Sequence, residues 1–443
     1  MQIKKEIIKS AKRTSNEKNG MHSWHPYYAG YSERFVSSAI EYLNLDNGIV
    51  LDPWAGSGTT NYVCEQYGLQ SIGFDINPVM SHFTSAKQRM ILFHLNQTKV
   101  KKLINEARFG LYKEKLSVEL LDIVSKSLGK QLISLLHTIL IIKLPDITIT
   151  KELKTLSLDL EYENPLRSFL ISCFFVTARS LAGYKCGSNP TWFKKIDKKP
   201  IYRDATIKKR YIECMVKMLS DLGAPQINLS KESLYFNCIG DAKDLPIEDS
   251  SIDAVITSPP YLTRIDYAVS TKLEILLLSG AEKLRNIREA TMGAPIIKKQ
   301  EIVINEKWGK KTIDLLSKVE SHYSKSSRSY YLKNKKQYFD DAYRSLEEIY
   351  RVLKPGASAL IVVQSSYYKE VEIPLGEIYK EMGINLGFEA SIVNREVVKG
   401  HMAHVNIRSS EYKKDKVYYE DVIELKRSLC NKSISRILKN IAA

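Results

Sequence analysis

Apolar positions along the chain change their period several times, and the changes mark out elements. Ser32 to Leu43 places Phe35, Val36, Ala39, Ile40 and Leu43 at helical spacing, which predicts a helix with one apolar face. Gly48-Ile49-Val50-Leu51 is a short unbroken apolar run, the pattern of a strand covered on both faces. Thr59 to Tyr67 then predicts a helix, and Ser71-Ile72-Gly73-Phe74 a second strand ending at Asp75. Strand, loop, helix and strand in this order form the unit of a parallel sheet. From about residue 85 to 230 the rhythm gives way to mostly helical patterns, as in Leu132 to Ile142 and Pro165 to Leu181. That segment reads as an insertion into the sheet domain. Strand-like runs return at Leu234 to Ile239, ending at Gly240-Asp241-Ala242, and at Ile252 to Thr257, ending at Ser258. Residues 281 to 336 predict a second irregular stretch. Beyond it, Tyr338 to Leu353 predicts a helix stopped by Lys354-Pro355-Gly356. Ala359 to Val363 predicts a strand, Pro374 to Met382 a helix, and Phe388 to Val393 the final strand.

Composition narrows the class. At 443 residues the chain exceeds the usual size of a single core, so a main domain with large insertions or a second domain is expected. A 44% hydrophobic and 26% charged composition is that of a soluble globular protein. The net charge of +16 favours a polyanionic partner, most commonly nucleic acid; ordinary solubilising lysine is the competing explanation. Half of the excess falls in residues 281 to 336, with fourteen Lys and Arg against six Asp and Glu. Trp308, Tyr323, Tyr330 and Tyr331 lie among those charges, as in single-strand-binding surfaces, although such a run is usually a solvated face. The six cysteines form no CxxC pair, so neither a zinc site nor a disulfide framework is expected. The first twenty residues are Lys-rich, predict a loose arm, and lack the apolar core of a signal peptide. Leu132 to Leu144, the most apolar stretch, contains His137 and Lys143 and is too short to span a bilayer. A reduced, cytoplasmic chain without membrane association is the expectation.

Two loops carry the chemistry. Asp52-Pro53-Trp54-Ala55-Gly56-Ser57-Gly58-Thr59-Thr60 lies between a predicted strand and a predicted helix. Glycines there allow a sharp turn and close approach of a ligand, and the helix N-terminus offers free N–H groups. A dinucleotide loop needs a third glycine, and a P-loop needs Gly-Lys-Ser/Thr; both are missing. A nucleoside with an amino-acid tail, as in S-adenosylmethionine, fits better. Asp52 is then placed to accept from the ammonium group. Asp75 can take the ribose hydroxyls, and Asp241 the adenine amino group. One strand-terminal Asp is more often a helix N-cap; three beside a glycine loop make a constellation.

Thr257-Ser258-Pro259-Pro260-Tyr261 is the second loop. Two prolines fix two φ angles and remove two donors, presenting carbonyl oxygens at the end of the strand. Ser258 and a proline carbonyl can accept from an exocyclic NH₂, which orients the nitrogen lone pair. Tyr261 supplies a flat stacking face. In duplex DNA the target base must first be flipped out. A plain Pro-Pro turn is the alternative.

These residues resemble the S-adenosylmethionine-dependent DNA amino-methyltransferases, which modify cytosine N4 or adenine N6. The Asp52–Thr60 string looks like the cofactor motif of that family, with Trp54 where Phe is usual. Gly73-Phe74-Asp75-Ile76-Asn77-Pro78 looks like the ribose motif, and Gly240-Asp241-Ala242 like the adenine motif. Ser258-Pro259-Pro260-Tyr261 looks like the catalytic tetrad. The resemblance implies cofactor contacts from Asp52, Pro53, Trp54, Gly56, Ser57, Gly58, Thr59, Asp75, Ile76, Asp241 and Ala242. It implies catalysis at Ser258, Pro259, Pro260 and Tyr261, with no metal. Arg351 to Gly356 resembles the family's helix-to-strand turn. Trp24-His25-Pro26-Tyr27-Tyr28 stands where its upstream motif helps hold the methionine moiety; an aromatic structural lid is the other possibility. Ser-Pro-Pro-Tyr is more typical of the cytosine-N4 enzymes.

The implied architecture is α/β, a Rossmann-like class I methyltransferase sheet with a large, mainly helical insertion. The expected divisions are a basic arm (1–20), a cofactor-binding part (21–85), a helical insertion (86–230), a catalytic part (231–425) carrying the basic 281–336 segment, and a tail (426–443). About 165 residues separate Asp75 from Asp241, far more than the motifs need. The insertion, through Lys185 to Lys195, is the first candidate for reading the target sequence, and the 281–336 segment the second. The implied activity is site-specific cytosine-N4 methylation of double-stranded DNA with a flipped target base, in a restriction-modification system beside a cognate restriction endonuclease or in another defence system. Adenine-N6 methylation is the nearest alternative. RNA guanine-N2 methylation and a non-catalytic nucleic-acid-binding protein are more distant ones. No cysteine nucleophile is needed, so Cys64 and Cys238 are expected in the core.

Overall fold

The apolar runs of the sequence form strands covered on both faces. They are β1 (Ile49–Asp52), β2 (Gln70–Asp75), β3 (Tyr235–Ile239), β4 (Ile252–Thr257) and β5 (Leu353–Gln364), then β6 (Ser366–Tyr368), β7 (Val371–Ile373), β8 (Phe388–Val397) and β9 (Tyr419–Arg427). The computed structural model describes the chain apart from residues 1–7, 15, 16, 18, 27–29, 110–114, 157–162, 184–197, 224–233, 263–265, 399–415 and 430–443. Among the described residues, seven strands make one sheet in the order β3-β2-β1-β4-β5-β9-β8, and β6 and β7 form a separate hairpin. β1 to β5 run parallel. β9 lies antiparallel between β5 and β8.

Side chains alternate across the pleat into two apolar layers. Val50, Ile256, Leu360 and Val362 point into one; Leu51, Val255, Ile361 and Val363 point into the other. The first layer is covered by α1 (Glu33–Tyr42), α2 (Thr59–Gln66) and α3 (Pro78–Ser85). The second is covered by helices Leu332–Val352 and Leu375–Leu386. Helices on both faces of a mainly parallel sheet make the fold Rossmann-like, as expected.

The helical insertion also forms, chiefly as helices Lys126–Leu140, Pro165–Ala182 and Asp204–Asp221. It shares one continuous core with Phe35 of α1 and Phe83 of α3, so it is fused to the sheet domain rather than tethered to it. Among the described residues no helix is long and apolar enough to cross a membrane.

Four expectations change. The 281–336 segment is largely ordered, with helices Gly280–Ala290 and Lys310–Ser321; Thr312, Leu315, Leu316 and Val319 form the buried stripe of the latter. Phe388–Val397 is not the last strand, because β9 follows it and inserts beside β5. β9 runs through Arg427, so the expected boundary at residue 425 cuts a strand. Part of the arm is not loose: Ile8 and Ala11 are buried in the first core.

Candidate active site

β1 and β4 are neighbours at the centre of the sheet, where the strand order reverses. Ligands of open α/β sheets bind outside the carboxyl ends at such a point. The Asp52 loop leaves the end of β1, and the Ser258 loop the end of β4. Pairing of Leu51 with Val255 therefore places side by side two motifs some 200 residues apart in sequence.

Asp52 ties them together. Its Oδ1 accepts from Thr257 Oγ1 at 2.5 Å, and its Oδ2 from the Tyr31 hydroxyl at 2.6 Å. Tyr31 is within 2.5 Å of Thr60 Oγ1, which donates to the Ile256 carbonyl at 3.1 Å. Asp52 is 0% exposed. Burial pushes its carboxyl above the usual range, against the pull of the Thr257 and Tyr31 bonds. Both oxygens accept from hydroxyl donors inside the fold, so Asp52 joins the two loops.

The glycine loop is held tightly beyond it. Ala55 N donates to the Phe74 carbonyl at 2.8 Å, and Gly56 N to Asp75 Oδ2 at 3.0 Å. Gly58 caps α2 at φ +74°, and a Cβ there would meet Thr84 at 2.5 Å. Both conformation and close approach require glycine. Pro53 and Thr59 are buried; Trp54 and Ser57 are half-buried.

Two cations unforeseen from sequence clasp this loop. Arg13 donates to Ser57 Oγ at 3.0 Å and Thr59 Oγ1 at 2.9 Å. Lys87 donates to the Ser57 carbonyl. Desolvation, helped by the Arg13 charge, brings the Lys87 ammonium down to about 7. A Lys-rich stretch with no periodic pattern gave no sign that Arg13 would sit here.

Asp75 and Asp241 end adjacent strands, and the structure brings them together: Gly240 N donates to the Asp75 carbonyl at 3.1 Å. Asp75 is half-buried and also accepts from Asn77 N at 2.8 Å. Burial outweighs these bonds and pushes its carboxyl up to about 7. The Asp241 side chain is 34% exposed and pairs with Lys243 at 3.0 Å. Ile76 is half-buried, and Ala242 is buried.

At the second loop, Ser258 Oγ donates to the Val362 carbonyl at 3.0 Å, with the Tyr261 hydroxyl at 3.4 Å. Pro259 is buried, while Pro260 and Tyr261 are half-buried. The Pro260 carbonyl already accepts from Tyr338 at 2.9 Å. No donor among the described residues reaches the Pro259 carbonyl. Burial raises the Tyr261 phenol well above its ordinary value, so it stays neutral.

The upstream motif points elsewhere. Trp24 Nε1 donates to Asp221 at 2.8 Å, and His25 Nε2 lies 3.0 Å from Arg179, so both face the helical insertion. Arg179 also pairs with the fully buried Glu274 at 2.6 Å. Tyr27, Tyr28 and the Lys185 to Lys195 loop lie outside the described residues.

Residues 4–86, which hold the first loop, match the family model for N6/N4 methyltransferases, described as DNA methylase. The type II methyltransferase M.BsoBI of Geobacillus stearothermophilus is 25% identical over 425 residues, covering 85% of this chain and 80% of that one. The type II methyltransferase M.AvaI of a Nostoc species is 23% identical over 423 residues, covering 84% and 80%. The chain is similar to the DNA amino-methyltransferases. The methyl donor of this DNA methyltransferase is S-adenosylmethionine. The crevice fits it: a glycine loop with positive φ at Gly56 and Gly58 stands beside two accessible carboxylates on neighbouring strand ends. Cys64 and Cys238 are buried, and desolvation raises both thiols, Cys238 to about 12. Neither is suited to act as a nucleophile.

Proposed function

We propose that this methyltransferase transfers a methyl group to the exocyclic N4 of cytosine at a specific site in double-stranded DNA. Its relatives are named type II methyltransferases, which supports a role as the modification partner of a cognate restriction endonuclease. The observation that carries the cytosine assignment is Ser258. Its one proton is committed to the Val362 carbonyl, so the oxygen turns lone pairs toward an incoming amine. The Pro259 carbonyl is the second acceptor. Ser258 in place of Asp or Asn is also the form typical of cytosine-N4 members.

S-adenosylmethionine, when bound, supplies an electrophilic methyl group on a sulfonium. Asp75 accepts from the ribose hydroxyls, with Ile76 beside the sugar. Asp241 and Ala242 hold the adenine, and Pro53, Trp54, Gly56, Ser57, Gly58 and Thr59 wrap the methionine end. The flipped base stacks on Tyr261. Its amine donates to Ser258 Oγ and the Pro259 carbonyl, which aims the nitrogen lone pair into the crevice. Pro260, bonded to Tyr338, keeps the turn rigid.

The test is product identification. Plasmid DNA and, in parallel, total RNA are incubated with the protein and isotopically labelled S-adenosylmethionine, then digested to nucleosides for mass spectrometry. Labelled N4-methyldeoxycytidine is expected. N6-methyldeoxyadenosine would overturn the base assignment, and label found in RNA alone would overturn the DNA assignment.

A further inference from the structure

The basic 281–336 segment carries aromatic residues of very different kinds. Trp308 is fully buried in the second core. Tyr330 is half-buried and donates to the Pro295 carbonyl at 3.0 Å. Tyr331 is half-buried and packs on Tyr368. Tyr323 alone of these four points outward, 81% exposed.

Its ring is nonetheless held in a set plane. It stacks on His322 at 4.5 Å and 22°. The His322 side chain is 4% exposed and fixed on both nitrogens, Nε2 to Glu370 at 2.9 Å and Nδ1 to Ser324 N at 3.1 Å and Ser324 Oγ at 2.9 Å. Beneath it Tyr368 meets His322 edge-on at 5.2 Å, and Lys335 lies 4.8 Å over the Tyr368 ring. This platform is connected to the Ser258 loop through β6. Tyr368 and Ser366 share the three-residue β6, and Ser366 Oγ donates at 3.2 Å to the carbonyl of Leu262, the residue after Tyr261. Close to Tyr323 in sequence, Lys318, Lys325, Arg328 and Lys333 are exposed, as is Glu320.

We infer that Tyr323, seated on His322, is a wedge that enters the target duplex next to the base turned out into the Ser258–Tyr261 clamp. This rests on the DNA-methylation reading above. A flipped base leaves a gap in the stack, and unstacking costs a few kcal/mol. Proteins that distort duplexes offset that cost with inserted side chains, and base–aromatic stacking contributes about 1–3 kcal/mol. A ring already fixed on a plate loses little freedom on insertion. The exposed lysines and arginine of the same segment suit contacts to the flanking phosphates.

The test uses the full chain, S-adenosylmethionine and a duplex containing the site mapped from its methylated product, with the fluorescent analogue pyrrolo-cytosine, which keeps its pairing with guanine, at the target position. Tyr323→Ala should lose about tenfold or more of the flipping equilibrium read by fluorescence, and of the single-turnover rate on the natural duplex, with cofactor affinity unchanged. A duplex whose target base is mispaired should restore most of the rate, and Tyr323→Trp should behave like the wild type. Wild-type flipping and rate in Tyr323→Ala, or an equal loss on the mispaired duplex, would overturn the wedge while leaving methylation intact. Absence of any DNA methylation by the wild type would overturn both.

Discussion

Replacing Thr257 by valine keeps the shape of a fully buried side chain and deletes the hydroxyl that joins the two loops. The lost bond runs 2.5 Å to a carboxylate with no exposure. Hydrogen bonds to charged groups contribute about 1.5–3 kcal/mol and neutral ones about 0.5–1.5 kcal/mol. Asp52 Oδ1 then keeps only Trp54 N, at 3.2 Å. Thr257→Val should therefore cost about 1.5–3 kcal/mol in the wild type, and about 1 kcal/mol less when Asp52 is already asparagine. The penalty should depend on pH. Burial raises the folded-state pKa of Asp52 above its unfolded value, so the stability this carboxyl contributes is present in acid and lost as pH rises through the folded pKa. Removing the bond penalises the charged form more, so the Thr257→Val cost grows with pH. Urea unfolding of the two single variants and the double variant at pH 5.5 and 8 measures all of this. A cost below about 0.5 kcal/mol at pH 8, or the same cost in both Asp52 backgrounds, would refute the link between the loops.

Other outcomes follow from the same geometry. With Asp75 at about 7, and its ionised form proposed as the ribose acceptor, S-adenosylmethionine affinity should fall by up to tenfold per pH unit below about 7 and level off above it. Calorimetry on Asp75→Asn should show weaker binding without that slope; the same slope in the variant would assign it to another group. Glu65, buried and raised to about 7, stabilises the fold in acid, and that contribution is lost as pH rises through about 7. Glu65→Gln should therefore raise the melting temperature at pH 8 relative to the wild type, with little change at pH 5. Arg179→Met leaves Glu274 charged and buried without its cation, at a cost of about 3–5 kcal/mol. Adding Glu274→Gln should recover much of the urea midpoint.

Much of this site was legible along the chain because its parts are local patterns. Apolar runs leading to Asp52, Asp75, Asp241 and Ser258 placed these four residues at the carboxyl ends of adjacent parallel strands before any contact was known. What stayed hidden depends on partners distant in sequence. Asp52 joins the two loops because Tyr31 and Thr257 reach it, and nothing near Asp52 announces either. β9 reads Tyr-Glu-Asp-Val-Ile-Glu-Leu-Lys-Arg, too charged for an interior strand until Asp421 is paired with Arg395 at 2.7 and 2.9 Å. Charge also masked the helix Lys310–Ser321, although Thr312, Leu315, Leu316 and Val319 keep helical spacing. There the apolar period was the sounder guide. Trp308 likewise packs in the core as its apolar surface requires, not on a surface as its lysine neighbours implied.

Ser258→Ala deletes one of the two acceptors proposed for the target amine and touches nothing assigned to the cofactor. Its single-turnover methyl-transfer rate, measured on the mapped site alongside S-adenosylmethionine affinity, isolates the clamp. Removing one preorganised hydrogen-bonding group at a reacting centre typically costs about 10²–10³ in rate. A rate reduced by about that factor, with cofactor affinity within about twofold of the wild type, is the expected result. A rate equal to the wild type would contradict the role of Ser258 and, with it, the cytosine clamp.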